Sequence, residues 1–364
     1  MSELPKVNPL WKRWALASIV PVIIAVATYF TTGKVVVPDV PPIPNVPIFG
    51  QGWVRDDDEV EAVRATLKFP DFSDTPASLA MGAEPKEVFL WNAARKVVGN
   101  PLPARNQLSV GACVGLGTAS AVEHTLLAQI ASWDKANGPP PTFREISPEI
   151  IYAGSRVQIG GGRIRGDGSV GAWAARFVNE YGILGRGKYG KLDLSAYSES
   201  ICRQLGAGGV PADLIAEVKL RPVKDISQIR SVADARKSLA NGYAIAVCSN
   251  VGFVNLRDSQ GFCKPAGNWQ HCMSIIGYRS DRPGFYIMNS WGADYFRGPL
   301  GAGDPPDGGF WADESVVAGM LSQGDSWAFA DATGFPPRPV DKLDWASWVQ
   351  VPKNKGIPTV FASK

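Results

Sequence analysis

Residues 271–292 read HCMSIIGYRSDRPGFYIMNSWG. The stretch opens on His271, one of only two histidines in the 364-residue chain; the other is His124. Residues 273–278 and 285–288 are short and apolar, and Gly, Asn or Pro bounds them, which predicts two strands. His271 directly precedes the first and Asn289 ends the second. Antiparallel pairing of neighbouring strands would set their side chains together. An imidazole held by a carboxamide is the arrangement a general base needs, so a nucleophile is the next thing to seek.

Working back along the chain, residues 107–113 read Gln107-Leu-Ser-Val-Gly-Ala-Cys113. After Cys113, apolar residues recur at helical spacing: Val114, Leu116, Val122, Leu126, Leu127 and Ile130. Cys113 therefore stands at the amino end of a predicted helix, just past Gly111. A free thiol titrates near ~8.5 and must be acidified by a helix amino terminus or an imidazolium before it attacks. Amide dipoles at that helix end favour a negative sulfur. His124 lies farther along the same helix and cannot turn back to Cys113, so His271 is the base. Gln107, on the loop entering the helix, can aim its amide at the same reaction centre as the Cys113 backbone N–H, as an oxyanion donor. Taken alone, Cys113 would read as a small buried residue; the company of Gln107, His271 and Asn289 makes it a nucleophile. His124 reads as an ordinary helix residue.

These motifs resemble the papain-like cysteine peptidase family. The Gln before the Cys has that family's spacing. Asn289-Ser290-Trp291-Gly292 is similar to its Asn-Ser-Trp-Gly motif, and His271 followed by an apolar run closing on Gly277-Tyr278 is similar to its His block. The order Cys, His, Asn also agrees, and the resemblance spans residues 102–331. It implies an α+β, two-lobed fold, with a helical lobe that starts at the nucleophile and an antiparallel barrel-like sheet carrying His271 and Asn289. Implied too is peptide-bond hydrolysis through an acyl-enzyme, with protein or peptide substrates and no cofactor. Trp291 would shield the Asn289–His271 bond, and Gly168 and Ser169 fall where the family pairs a glycine-rich strip with the substrate backbone. Val114 departs from the family's Trp, and Tyr295-Phe296 replace a Trp-Gly pair.

The remaining sequence bounds the setting. Hydrophobic residues make up 45% and charged residues 20%, enough for a packed core. The +3 net charge and the lack of a basic, aromatic-interleaved block exclude nucleic-acid binding. Five cysteines (113, 202, 248, 263, 272) contain no Cys-x2-Cys, which argues against zinc; pairing of Cys263 with Cys272 stays open. Residues 160–169 are glycine-rich but lack a Gly-Lys-Ser/Thr ending, so they are no phosphate loop.

Lys6, Lys12 and Arg13 precede an uncharged apolar run at residues 14–32. At ~1.5 Å per residue it reaches a little under the ~30 Å of a bilayer core. It reads as a signal anchor, with the amino terminus cytoplasmic and the bulk of the chain outside. A signal peptide cleaved near Ala25-Val26-Ala27, leaving a secreted or periplasmic protein, is the alternative. The expected layout is 1–33 stub and membrane helix, 34–53 proline-rich linker, 54–101 short helical extension, 102–335 peptidase domain and 336–364 tail. Helices are predicted at 56–68, 85–98, 147–152, 170–181 and 232–240, and strands at 243–248, 273–278 and 285–288. Two other functions compete with an active peptidase: an inactive papain-like binding or structural module, and a cell-wall-cleaving Cys–His amidase, which would lack the Asn-Ser-Trp-Gly motif.

Overall fold

The computed structural model describes residues 50–82 and 85–338. The expected membrane helix at 14–32 lies outside the described residues, and among those residues no helix is long and apolar enough to cross a membrane. The helices are α1 (Asp57–Arg64), α2 (Pro76–Leu79), α3 (Trp91–Val98), α4 (Cys113–Ala131), α5 (Pro148–Gly154), α6 (Gly171–Glu180), α7 (Glu199–Gly208), α8 (Ile215–Val218), α9 (Val232–Ala240) and α10 (Glu314–Leu321). The strands are β1 (Glu87–Phe89), β2 (Lys188–Tyr189), β3 (Leu192–Asp193), β4 (Asp225–Gln228), β5 (Ile245–Phe253), β6 (Pro265–Arg279), β7 (Gly284–Met288), β8 (Gly309–Asp313) and β9 (Asp325–Ala330). Helices crowd the first half and strands the second, which is the α+β pattern expected from the sequence.

One antiparallel sheet runs β4-β9-β5-β6-β7-β8, with β1 added to β6, and β2 and β3 form a separate hairpin. Among the described residues no ladder joins β4 to β8, so the sheet is open rather than closed into a barrel. Strand β6 is its spine, paired to β5 through Cys248↔Cys272 and Ser249↔His271, and to β7 through Ser274↔Met288.

Helix α4 lies against β5, β6 and β9 on one side and against α3, α5 and α6 on the other. It is buried on nearly every face, as a helix without a polar stripe must be. Small residues let its neighbours approach. A Cβ at Gly117 would sit 2.9 Å from Cys272 Sγ and 3.1 Å from its carbonyl oxygen, and one at Gly115 would sit 2.8 Å from the Pro148 carbonyl oxygen. Glu123, 2% exposed on this helix, accepts from Arg105 Nη2 and from the Ile146 N–H, both at 2.6 Å. That buried pair ties the loop before the nucleophile to α4 and to the chain entering α5.

Three expectations need correction. Residues 85–98 are not one helix. Val88 and Phe89 pair with Tyr278 and Gly277 as β1, and the helix starts only at Trp91, whose ring stacks on Phe89 at 4.9 Å. An open position beside the end of β6 outweighed local helix propensity there. The last residues of the expected linker, 50–53, are hydrogen-bonded into the fold, as described below. The first residues of the expected loose tail are fixed too: Tyr243 donates to the Pro336 carbonyl at 2.6 Å, and Arg338 pairs with Asp331 at 3.0 Å.

Gly117→Ala places a methyl group where the β6 backbone already stands. It should destabilise the protein by about 1–3 kcal/mol, read as a lower urea midpoint at unchanged slope. An unchanged midpoint would show that α4 does not bear on β6 at this point.

Candidate active site

Cys113 is the first residue of α4, and no side chain caps that end; Ala112 precedes it. The free amides of the first turn are thus left for the sulfur. The side chain is fully buried. Backbone groups of Cys272, Gly52 and Val114 near the sulfur lower its pKa. Burial pushes the thiol well above its ordinary pKa, the nearby Cys272 adds to this, and the three backbone groups offset only part.

His271 is also fully buried. Its Nε2 lies 2.7 Å from Asn289 Oδ1. That oxygen also accepts the Ser290 N–H at 2.8 Å, which fixes the amide orientation and puts the imidazole proton on Nε2. Nδ1 is then a bare acceptor, buried without a partner. Burial lowers the imidazole pKa to about 4, against the opposing Asn289 bond. In this state the pair is therefore a thiol and a neutral imidazole around neutral pH. Trp291 covers the ring at 4.5 Å between centroids, and Trp269 and Tyr295 pack on Trp291 at 4.6 and 4.8 Å. The aromatic wall keeps water from the Asn289–His271 bond.

Gln107 is buried and held from three sides. Its backbone N–H donates to the Ser290 carbonyl at 2.8 Å, and its Oε1 accepts from Ser290 Oγ at 2.5 Å. Tyr197 donates to its carbonyl at 3.0 Å. With Oε1 occupied, Nε2 must point the other way, where it donates to the carbonyls of Gly50 at 2.6 Å and Val110 at 2.9 Å. Gly111, before the nucleophile, donates to Asp167 at 2.9 Å, and Asp167 is paired with Arg203.

Residues 50–54 lie across this site. Gly50 donates to the Leu108 carbonyl at 3.2 Å; Gly52 and Trp53 both donate to the Gln270 carbonyl, at 2.9 and 3.0 Å. Ser169 donates to the Gly52 carbonyl at 2.8 Å and accepts from Val54 at 2.9 Å, a parallel bridge centred on Trp53. A Cβ at Gly52 would lie 1.9 Å from the Gly111 carbonyl oxygen, so only glycine passes here. Trp53 is 2% exposed and its Nε1 donates to Asp325 at 2.8 Å. Helix α1 anchors the strap from behind, with Glu59 accepting from Trp173 and Arg163 at 2.8 and 2.7 Å.

The fold thus brings Gln107, His271, Asn289 and Trp291 together, places Cys113 near Cys272 and Gly52, and sets Gly168 and Ser169 on the strip that the strap follows. Gly168 donates no strap bond; its N–H faces the Tyr152 hydroxyl at 3.1 Å. His124 is apart from the site, buried with Nδ1 on the Ser120 carbonyl at 2.8 Å, its pKa lowered to about 4 by burial. All five cysteines are buried free thiols, so Cys263 and Cys272 are not bridged. Sequence reasoning missed Asp325, the strap and the role of Ser290. Glycines at 50 and 52 flanking a proline-rich stretch read as linker, and nothing local marks them as a strand that fits a cleft.

No family model matches the sequence, and no curated protein matches it. Among solved structures the chain is similar to xylellain, a cysteine protease from Xylella fastidiosa, with TM-score 0.51 and 17% identity over 79% of this chain and 98% of that one. It is similar to digestive procathepsin L 3 of Tenebrio molitor, with TM-score 0.47 and 13% identity over 90% and 94%. A Carica candamarcensis cysteine protease gives TM-score 0.43 and 20% identity over 68% and 98%. Helix α4 packed on the β5–β6–β7 sheet, together with the first of these likenesses, shows that the chain has the papain-like cysteine protease fold.

Proposed function

We propose that this chain is a cysteine endopeptidase that rests in an occluded state. The reading is carried by the bond from His271 Nε2 to Asn289 Oδ1 at 2.7 Å, which leaves Nδ1 without a partner and able to take a proton. With the cleft open and hydrated, the Cys113 proton passes to His271 Nδ1, giving thiolate and imidazolium. The sulfur attacks the scissile carbonyl, and the oxyanion is held by the Cys113 N–H and by Gln107 Nε2. His271 returns its proton to the leaving amine as the C–N bond breaks, leaving a thioester. Water, deprotonated by the same imidazole, then releases the carboxylate and regenerates the thiol. Asn289 holds the ring and Trp291 screens it.

The strap explains the neutral resting pair. Residues 50–54 occupy Gln107, the Gln270 carbonyl and Ser169, the groups that would hold a substrate backbone. Tethering to a membrane through residues 14–32, with the catalytic domain outside, belongs to this proposal and rests on the apolar run and its basic flank. The buried, unionised thiol favours a second reading, a papain-like binding module. Labelling and cleavage experiments separate the two.

In the intact chain both members of the pair are uncharged at neutral pH, so alkylation of Cys113 by iodoacetamide should be slow and should rise only toward alkaline pH. Trp53→Ala removes the strap's buried anchor. It should speed labelling at pH 6 by about tenfold or more, since an open pair already holds thiolate there. Equal rates in the two proteins would mean that the strap does not guard the thiol.

Peptide cleavage by Trp53→Ala should be bell-shaped in pH: it rises as the thiol ionises and falls as the imidazolium loses its proton. Adding Cys113→Ala should abolish cleavage. Adding Gln107→Ala instead should lower kcat by about 10²–10³-fold with KM little changed. Cleavage that survives Cys113→Ala would end the proposal. Absence of cleavage in a folded protein would support the binding module.

A further inference from the structure

We infer that Asp325 sets the substrate class of this site: peptides that present a cationic side chain, Arg or Lys, to the pocket that Trp53 fills. The inference rests on the peptidase reading for its consequence, but the pocket is visible without it. Asp325 begins β9 and is 1% exposed. Every group around it donates. Trp53 Nε1 and the Gly171 N–H reach Oδ2, both at 2.8 Å, and Trp327 Nε1 reaches Oδ1 at 2.7 Å. The Ala172 N–H also points at the carboxyl. Burial raises the pKa of this carboxyl, and the donors from Trp327, Trp53, Gly171 and Ala172 oppose that by favouring its ionised form. Among the described residues no Lys, Arg or His lies within ion-pair distance of it. It is thus a buried carboxyl held by neutral dipoles alone, whose charged form stays costly unless a cation can reach it.

The fourth wall of this carboxyl is the strap. Trp53 follows Gly52, which passes against the Gly111 carbonyl, two residues before Cys113, so the indole enters the pocket close to the start of α4. Ser169 pairs with the backbone on either side of Trp53, as it would with a peptide taking the strap's place. The wall opposite is Gly171: a Cβ there would lie 2.7 Å from both carboxylate oxygens and from Cys248 Sγ. The missing side chain at 171 leaves the path to Asp325 open. When the strap leaves, Asp325 loses one donor and gains no other from the protein. A guanidinium or ammonium entering along the Trp53 path restores the bond and neutralises the charge. A leucine or phenylalanine there buries the carboxyl against hydrocarbon with a donor missing.

The test uses full-length Trp53→Ala, in which the pocket is vacated but the chain is otherwise whole. Peptides identical except at one position, scanned across the residues flanking the cleaved bond, carry Arg, Lys, norleucine, Phe or Trp. At one position next to or near the cleaved bond, Arg and Lys should raise kcat/KM by at least about tenfold over norleucine. Trp should exceed Phe at the same position. Asp325→Asn in that background should bring the Arg-to-norleucine ratio close to one. The substrate comparison stands without this variant, should it fold poorly. Binding of the same peptides to Cys113→Ala/Trp53→Ala, by fluorescence anisotropy, separates the two proposals. Arg-selective binding with no cleavage by the parent overturns the peptidase reading and sustains the pocket. Cleavage with no preference for Arg or Lys overturns the pocket and sustains the peptidase. Neither binding nor cleavage overturns both.

Discussion

The seat of helix α4 on strand β6 is the contact on which the rest of the molecule depends. Cys113 at a helix amino terminus and His271 on a strand keep a fixed relation only if helix and sheet meet at one fixed height. Gly117 makes that meeting close, since the β6 backbone at Cys272 stands where a larger residue would place its Cβ. Rigid packing of this kind transmits position, because a close-packed interior does not deform gradually. The Arg105–Glu123 pair adds a second fix, holding the Gln107 loop to the same helix. It is buried, and its value lies in specifying one arrangement rather than in net stability.

A consequence of so tight a seat is that the reactive groups are sequestered as soon as anything covers the cleft. Residues 50–54 do so with backbone bonds at Gln270, Ser169 and the Gln107 side chain, plus two side chains of their own, Gln51 on the Gln270 N–H and Trp53 on Asp325. Low dielectric then disfavours both charges, raising the thiol pKa and lowering that of the imidazole. The same geometry that orders the site in water therefore quiets it when covered.

Much of the site was legible in the sequence, for a physical reason. Thiolate chemistry needs few residue types, and each was scarce enough to single out: one cysteine at a helix start, one histidine outside that helix, one asparagine closing the next strand. The helices at 170–181 and 232–240 and the strand at 285–288 carried their own periodicity and were read close to their observed bounds, whereas β6 starts at Pro265, well before the expected 273, and so contains His271. Element β1 was misread because its three residues become a strand only by lying beside Arg279, Tyr278 and Gly277. Strands β4, β8 and β9 escaped for a similar reason: short apolar runs look alike until a partner edge is present.

By itself, the sequence determined the chemistry: which side chains stand at helix and strand ends, and what a thiol, an imidazole and two carboxamides can do together. It determined this because local propensity and residue type act over a few neighbours along the chain. Only the tertiary structure decided how deeply those groups are buried and which distant residues meet them. Trp53 and Asp325 are separated by 272 positions in sequence and meet at 2.8 Å. Burial, which sets the thiol and imidazole pKa values, is a property of everything that surrounds a group, and no window of sequence contains it.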